Sequence, residues 1–221
     1  MTMQVALRAA KGLVVASDTK VRTTEKEVSD RRYTAVGIVN RAKLKLSQRH
    51  GILVGLSGWG SEEGDLAQEL ADHLSTHNQL PGSIGALLRA WGDRVVERVP
   101  RCSLLVVSPA TESYPFWKLQ VKRGSDCEPS SSYLINGNEN NSAIFWPEYF
   151  RWDKELYDLQ MATRIAAFTI LMGAELNPFG VGGLEIWRYE SEWKPALPAE
   201  IAQLRADFKR LQESLHSVVQ R

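Results

Sequence analysis

The apolar runs of this 221-residue chain come in blocks, and their order constrains the fold more than any other feature. Residues 2–7 and 13–17 are short apolar runs around Ala9-Ala10-Lys11-Gly12, a hairpin pattern with glycine in the turn. The polar stretch 20–32 reads as a loop. β-Branched and alternating residues over 35–46, then the apolar run 52–56, predict more strand. A helix pair follows. Leu66, Leu70 and Leu74 form one stripe, with Ser61 as cap and Glu62, Glu63 and Asp65 at the positive end. The Leu80-Pro81-Gly82 break opens the second helix, with Ile84, Leu87, Leu88, Trp91, Val95 and Val99 on one side.

Strands return over 103–107, 116–121 and 132–135. Residues 153–174 predict a long amphipathic helix, ended by Asn177-Pro178-Phe179-Gly180, and 184–189 predict a last strand. Beyond Pro195 and Pro198, the series Ile201, Leu204, Phe208, Leu211, Leu215 and Val218 steps by three and four, a heptad-like seam. Such a seam packs on its own domain or on a partner. This order is not the strand–helix alternation of a parallel sheet. It suits an α+β fold, a four-layer αββα sandwich of two antiparallel sheets flanked by helices. Residues 1–195 read as one domain and 196–221 as a helical extension for packing or oligomerisation.

Several function classes are disfavoured. Lys and Arg number 27 against 26 acidic residues, a net charge of +1, so no global field attracts nucleic acid or anionic lipid. No run approaches the roughly 20 apolar residues that span a bilayer. The N-terminus carries Arg8 and Lys11 and lacks a signal peptide's apolar core, so a cytoplasmic protein is expected, with Cys102 and Cys127 as reduced thiols. His50, His73, His77 and His216 form no ligand cluster. His73 and His77, four apart, read as a solvated helix face, so no metal is expected. Gly12, Gly51 and Gly55 do not make a phosphate loop, and no cofactor is expected. Asn140-Asn141-Ser142 matches the glycosylation pattern by chance. Trp117, Phe145, Trp146, Tyr149, Phe150 and Trp152 read as core or interface aromatics.

The residue that carries chemistry is Thr2. Methionine aminopeptidases act when the second residue is small. Loss of Met1 leaves Thr2 with a free α-amine beside its own hydroxyl. Such an amine titrates near 7.7–8.0 and can act as a base at neutral pH. A threonine hydroxyl is a weak nucleophile that needs one.

Thr2-Met3-Gln4-Val5-Ala6-Leu7, followed by Lys11-Gly12-Leu13-Val14-Val15-Ala16-Ser17-Asp18-Thr19-Lys20, resembles the opening of proteasome β subunits and of the bacterial HslV protease. The shared signature is an N-terminal Thr, an apolar strand, Gly, an apolar strand, then a small residue, x, Asp, x and Arg or Lys. The resemblance implies an N-terminal nucleophile (Ntn) hydrolase fold with Thr2 as nucleophile. Asp18, sixteen residues on, would orient the N-terminus and support a lysine. Without the resemblance, Asp18 is a turn residue closing a strand. The family's lysine precedes a strand-ending small-Gly pair by about fifteen residues. Lys43 does so before Ser57-Gly58. Lys45, two residues on and on the same strand face, competes with it. Gly58 matches the glycine whose backbone N–H stabilises the oxyanion.

The second half departs from the active-subunit pattern. Asn136-Gly137-Asn138 stands where Gly-Ser-Gly is expected. Pro178-Phe179-Gly180-Val181 precedes Gly182-Gly183 where Asp-x-x-Ser is expected. Asn138 and Asn177 are the polar side chains available there. The pattern fits a divergent bacterial relative of the Anbu or betaproteobacterial type. The resemblance implies a peptide or protein substrate and a homo-oligomeric ring or stack, with any ATPase partner unspecified. A structural subunit without activity and an acyl-transferring ligase are the competing readings.

Overall fold

The computed structural model of the chain describes residues 2–26, 33–58, 66–78, 80, 84–99, 102–110, 113–137 and 157–219. The N-terminal hairpin forms as its sequence predicts, with β1 (Met3–Ala9) against β2 (Gly12–Ser17). They belong to a five-stranded sheet with β10 (Tyr133–Gly137), β11 (Glu185–Tyr189) and β12 (Trp193–Pro195), ordered β10-β1-β2-β11-β12. A second five-stranded sheet runs in chain order through β5 (Leu44–Leu46), β6 (Leu53–Gly58), β7 (Cys102–Val107), β8 (Phe116–Val121) and β9 (Asp126–Ser130). Every pairing is antiparallel.

Both faces of each sheet are covered, which explains strands that are apolar on both sides. In β1 and β2, Met3, Val5, Leu7, Val14 and Ala16 pack against the long helix α3 (Leu159–Leu176). Ala6, Leu13 and Val15 point the other way and meet Leu53, Leu105, Val107 and Phe116 of the second sheet. That sheet's outer face, with Val54, Leu104, Val106 and Leu119, packs on α1 (Leu66–Thr76) and α2 (Gly85–Val95). The terminal helix α4 (Pro198–Val219) lies on α3. Leu204 and Phe208 are buried there, and the rings of Phe208 and Phe168 are 5.4 Å apart, while Leu215 is exposed. The result is the expected αββα sandwich. No described helix is long and apolar enough to cross a membrane.

Several sequence expectations change. The polar stretch read as a loop contains β3 (Lys20–Lys26), which pairs with β4 (Tyr33–Asn40) in a separate two-stranded ribbon. Its Val21, Thr23 and Thr24 are β-branched, and backbone pairing overrides its polarity. The strand expected over 35–46 is broken at 41–43, so Lys43 stands one residue before β5 rather than within a strand. Short β9 and β12 leave no signal in the sequence, because a three- to five-residue edge strand carries almost no periodicity. Helix α3 begins at Leu159, where the Asp158 carboxylate accepts the Met161 N–H at 2.7 Å. Residues 153–156, the Ser61 cap with its acidic neighbours, Pro81, Gly82 and the aromatic run from Phe145 to Trp152 lie outside the described residues, as do Asn138 and the 140–142 motif.

Candidate active site

Thr2 lies immediately before β1 and is only 6% exposed. The hairpin register pairs Gln4 with Ser17, which brings residue 18 alongside residue 3. The Met3 N–H donates to Asp18 Oδ1 at 2.8 Å, and the Asp18 N–H donates to the Met3 carbonyl at 3.0 Å. The sixteen-residue gap between Thr2 and Asp18 is therefore closed by one hairpin. Asp18 is fully buried.

Lys43 reaches the same point from the segment ahead of β5. Its Nζ donates to Asp18 Oδ2 at 2.8 Å and to Thr2 Oγ1 at 3.0 Å. The lysine side chain is 9% exposed and its carboxylate partner 0%. Lys45, the competing lysine, stands on β5 opposite Val54. The Lys43 backbone is held as well. Glu185 Oε2 accepts its N–H at 3.0 Å and that of Leu44 at 3.4 Å, and Glu185 Oε1 accepts the Trp187 indole N–H at 2.9 Å.

Burial dominates the electrostatics of the pair. It pushes the Asp18 carboxyl above the ordinary carboxylate range, and Lys43 and the Met3 N–H pull it back. It draws Lys43 below the ordinary lysine range, opposed by Asp18 and then Glu185. A lysine tuned downward keeps its donors on the threonine hydroxyl while its proton becomes easier to release. Since Lys43 donates to Oγ1, that oxygen's own proton is free to go elsewhere.

Gly58 ends β6, paired with Cys102 on β7. Gly137 ends β10 with φ +106°. A Cβ there would sit 2.0 Å from the Thr2 carbonyl oxygen and 2.8 Å from Ser57 Oγ. Thus the end of β10 lies against both the Thr2 carbonyl and Ser57 of β6. Only glycine permits the approach.

Beneath Thr2 lies a buried polar array that sequence reasoning missed. Asn136 Nδ2 donates to Gln4 Oε1 at 2.8 Å and to the Ser103 carbonyl at 3.3 Å, and the Ser103 hydroxyl donates to Asn136 Oδ1. Gln4 Nε2 turns to the Leu56 carbonyl at 3.4 Å and Ser17 Oγ at 3.5 Å, and Ser17 Oγ donates to the Asp18 carbonyl at 2.9 Å. Gly55 makes room, since a Cβ there would lie 2.5 Å from the Gln4 amide nitrogen. The available signal was Gln4, the lone polar residue in an otherwise apolar strand start.

The segment after α3 is tied behind Asp18. Gly182 O accepts the Thr19 and Lys20 N–H groups at 2.9 Å each, and the Lys20 ammonium donates to the Pro178 carbonyl. Asn177 Oδ1 accepts the Gly180 N–H at 3.0 Å, so it closes the local turn rather than reaching the N-terminus. His73 and His77 lie away from this site on α1, with the Arg94 guanidinium donating to His73 Nε2 at 3.0 Å. Among the described residues no group of three His, Cys, Asp or Glu is placed to hold a metal ion.

The fold is that of solved Anbu structures. The chain is similar to Anbu (ancestral beta-subunit) from Yersinia bercovieri, with TM-score 0.67, 18% identity and coverage of 99% of this chain and 96% of that one. It is similar to a Gly-1 mutant of Anbu from Hyphomicrobium sp. strain MC1, with TM-score 0.69, 17% identity and coverage of 100% and 97%. A further Anbu structure from that strain gives TM-score 0.66 and 17% identity over 99% and 97%. No family model and no curated protein matches the sequence.

Proposed function

We propose that the chain is a threonine-type peptidase subunit whose nucleophile is Thr2, exposed by loss of Met1. One observation carries the reading: Lys43 Nζ lies within hydrogen-bond reach of both Thr2 Oγ1 and Asp18 Oδ2. A surface lysine on a solvated strand would have no reason to be buried against a carboxylate and a hydroxyl at residue 2.

In this mechanism the Thr2 α-amine takes the Oγ1 proton as Oγ1 attacks a peptide carbonyl carbon. The ammonium of Lys43 stabilises the forming alkoxide and keeps the nearby amine unprotonated by raising the cost of a second positive charge. The Gly58 N–H donates to the tetrahedral oxyanion. The carbon–nitrogen bond then breaks, the amine's proton passes to the leaving nitrogen, and an ester on Thr2 remains. Water, deprotonated by the same amine, releases the acid and restores Oγ1–H. Asp18 acts through Lys43 and through the Met3 N–H, so its part is positioning.

The substrate class is a peptide or protein. The likeness to Anbu, an ancestral beta-subunit, supports a homo-oligomeric assembly. A cytoplasmic setting suits two buried free cysteines. Intact-mass analysis before and after an epoxyketone or β-lactone probe tests the reading. Loss of Met1 plus a single adduct mapped to Thr2, absent in Thr2→Ala, supports it. A processed chain that no probe labels favours a structural subunit.

A further inference from the structure

Glu185 opens β11, in the sheet that carries Thr2, yet its carboxylate grips the backbone of the segment that delivers Lys43 from the other sheet. Two successive N–H groups, of Lys43 and Leu44, converge on Oε2, a small anion-holding pocket of backbone donors. Oε1 is held in turn by the indole of Trp187, two residues on and on the same strand face. Trp187 packs with the core between the sheets, so the carboxylate is oriented from a fixed side.

The segment that needs holding is the one outside regular structure. Residues 41–43 follow β4 and precede β5. Their backbone is tied by the Arg41 N–H to the Thr19 carbonyl at 2.7 Å, and by the Lys43 N–H to Glu185. The lysine side chain spans from this anchor to Thr2 Oγ1 and Asp18. Among the described residues, the charged groups facing it are Asp18 from the end of β2 and Glu185 from β11.

We propose that Glu185 is a positioning residue for Lys43: it clamps the Lys43–Leu44 backbone across the two sheets, so that the ammonium meets Thr2 Oγ1 and Asp18 together. The inference rests on the reading of Thr2 as nucleophile. Misplacement of a catalytic group by about 1 Å can cost as much as about 100-fold in rate, so a backbone clamp on a long, flexible side chain has a measurable consequence. The carboxylate also adds a second negative charge near Lys43. The ammonium therefore persists to higher pH than Asp18 alone would allow.

The test uses the full processed chain and three variants: Glu185→Ala, Glu185→Gln and Trp187→Phe. Three quantities are read: the pH profile of Thr2 labelling by an epoxyketone, amide exchange at Lys43 and Leu44, and the Lys43 Nζ titration by NMR. Glu185→Ala is expected to slow labelling at least tenfold and to speed exchange of both amides at least tenfold. Its alkaline limb moves to lower pH. Glu185→Gln keeps an acceptor for the two amides but loses the charge. It is expected to retain most of their protection while the Lys43 titration and the alkaline limb both move down. Trp187→Phe falls between the parent and Glu185→Ala. If Glu185→Ala does not fold, the other two variants decide. Variants with parental amide exchange and parental Lys43 titration overturn the proposal. A parent chain that never labels at Thr2 sinks the nucleophile reading instead, and the exchange and titration data still judge Glu185 alone.

Discussion

Asn136 Nδ2 and Gln4 Oε1 are 2.8 Å apart in a region where neither residue has any solvent exposure. They sit opposite each other in the β1–β10 register, directly under Met3 and Gly137. A buried amide pair is stable only while both members are satisfied, because an orphaned acceptor bears its full desolvation cost.

Replacing Asn136 by Leu leaves Gln4 Oε1 and the Ser103 hydroxyl without that partner. The expected loss is about 1–3 kcal/mol of unfolding free energy, measured by urea denaturation at unchanged m-value. A variant within experimental error of the parent would mean the array contributes nothing to stability.

Gly137→Ala addresses the approach of β10 to Thr2. The positive φ and the 2.0 Å contact with the Thr2 carbonyl oxygen cannot both be relieved without moving one strand end. Backbone strain alone is expected to cost about 1–3 kcal/mol. Displacement of Thr2 should also suppress probe labelling. Thermal unfolding and adduct mass read the two effects separately. Parental labelling would show that Thr2 tolerates the shift.

Lys43→Ala and Lys45→Ala separate the two lysines that sequence spacing left in competition. Lys43→Ala is expected to reduce the Thr2 labelling rate at least about 100-fold, in the range for losing one donor that stabilises developing negative charge. It also leaves the buried Asp18 without its cation. Lys45→Ala is expected to label within a few-fold of the parent. The reverse ranking would reassign the role. Second-order labelling rates at one pH suffice.

What was legible in the chain depended on distance along it. The β1–β2 hairpin could be read from two apolar runs around one glycine, and hairpin geometry alone carries Asp18 to the neighbourhood of residue 2. The αββα layering followed from the order of blocks. Lys43 was harder. It arrives across 41 residues and a two-stranded ribbon, and only comparison with a known pattern singled it out. The buried roles of Gln4, Asn136 and Glu185 are hidden in the sequence for a different reason. In a strand covered on both faces, sidedness is invisible until the partner layer is known. A polar residue in such a strand looks like noise until another polar residue is found facing it. The ribbon strand β3 was missed because its residues are polar, and β9 and β12 because they are short.

Labelling of Thr2 should follow a bell-shaped pH profile. On the proposed mechanism the rising limb reports the α-amine, which must be neutral to accept the Oγ1 proton; the ordinary value of such an amine is about 7.7–8.0. The falling limb reports loss of the Lys43 ammonium. Burial draws that group below the ordinary lysine range, so the limb falls earlier than free lysine titration would predict. Inactivation rates across pH 5–11, about the span of these groups, give both limbs. A plateau persisting through the ordinary lysine range would show that the Lys43 charge is not used.

The start of α4 offers a pH dependence of stability unrelated to catalysis. Glu200 Oε2 accepts the Leu197 N–H at 2.7 Å, capping the helix from its first turn. The Arg188 guanidinium of β11 reaches both carboxylate oxygens at 2.8 and 2.9 Å. The backbone N–H, then Arg188, holds the Glu200 carboxyl below the usual range. A group whose folded value is depressed stabilises the fold above its unfolded value, about 4.3 for Glu. That contribution fades as pH falls through the folded value. Because the pair is solvent-accessible, its worth is at most about 1 kcal/mol. Glu200→Gln keeps an acceptor for Leu197 but no charge for Arg188. The parent should exceed the variant in unfolding free energy at pH 7 and converge with it as the carboxylate protonates below its folded value. High salt should shrink the gap at pH 7. No gap between parent and variant at neutral pH would show that the cap, and not the ion pair, is what α4 gains from Glu200.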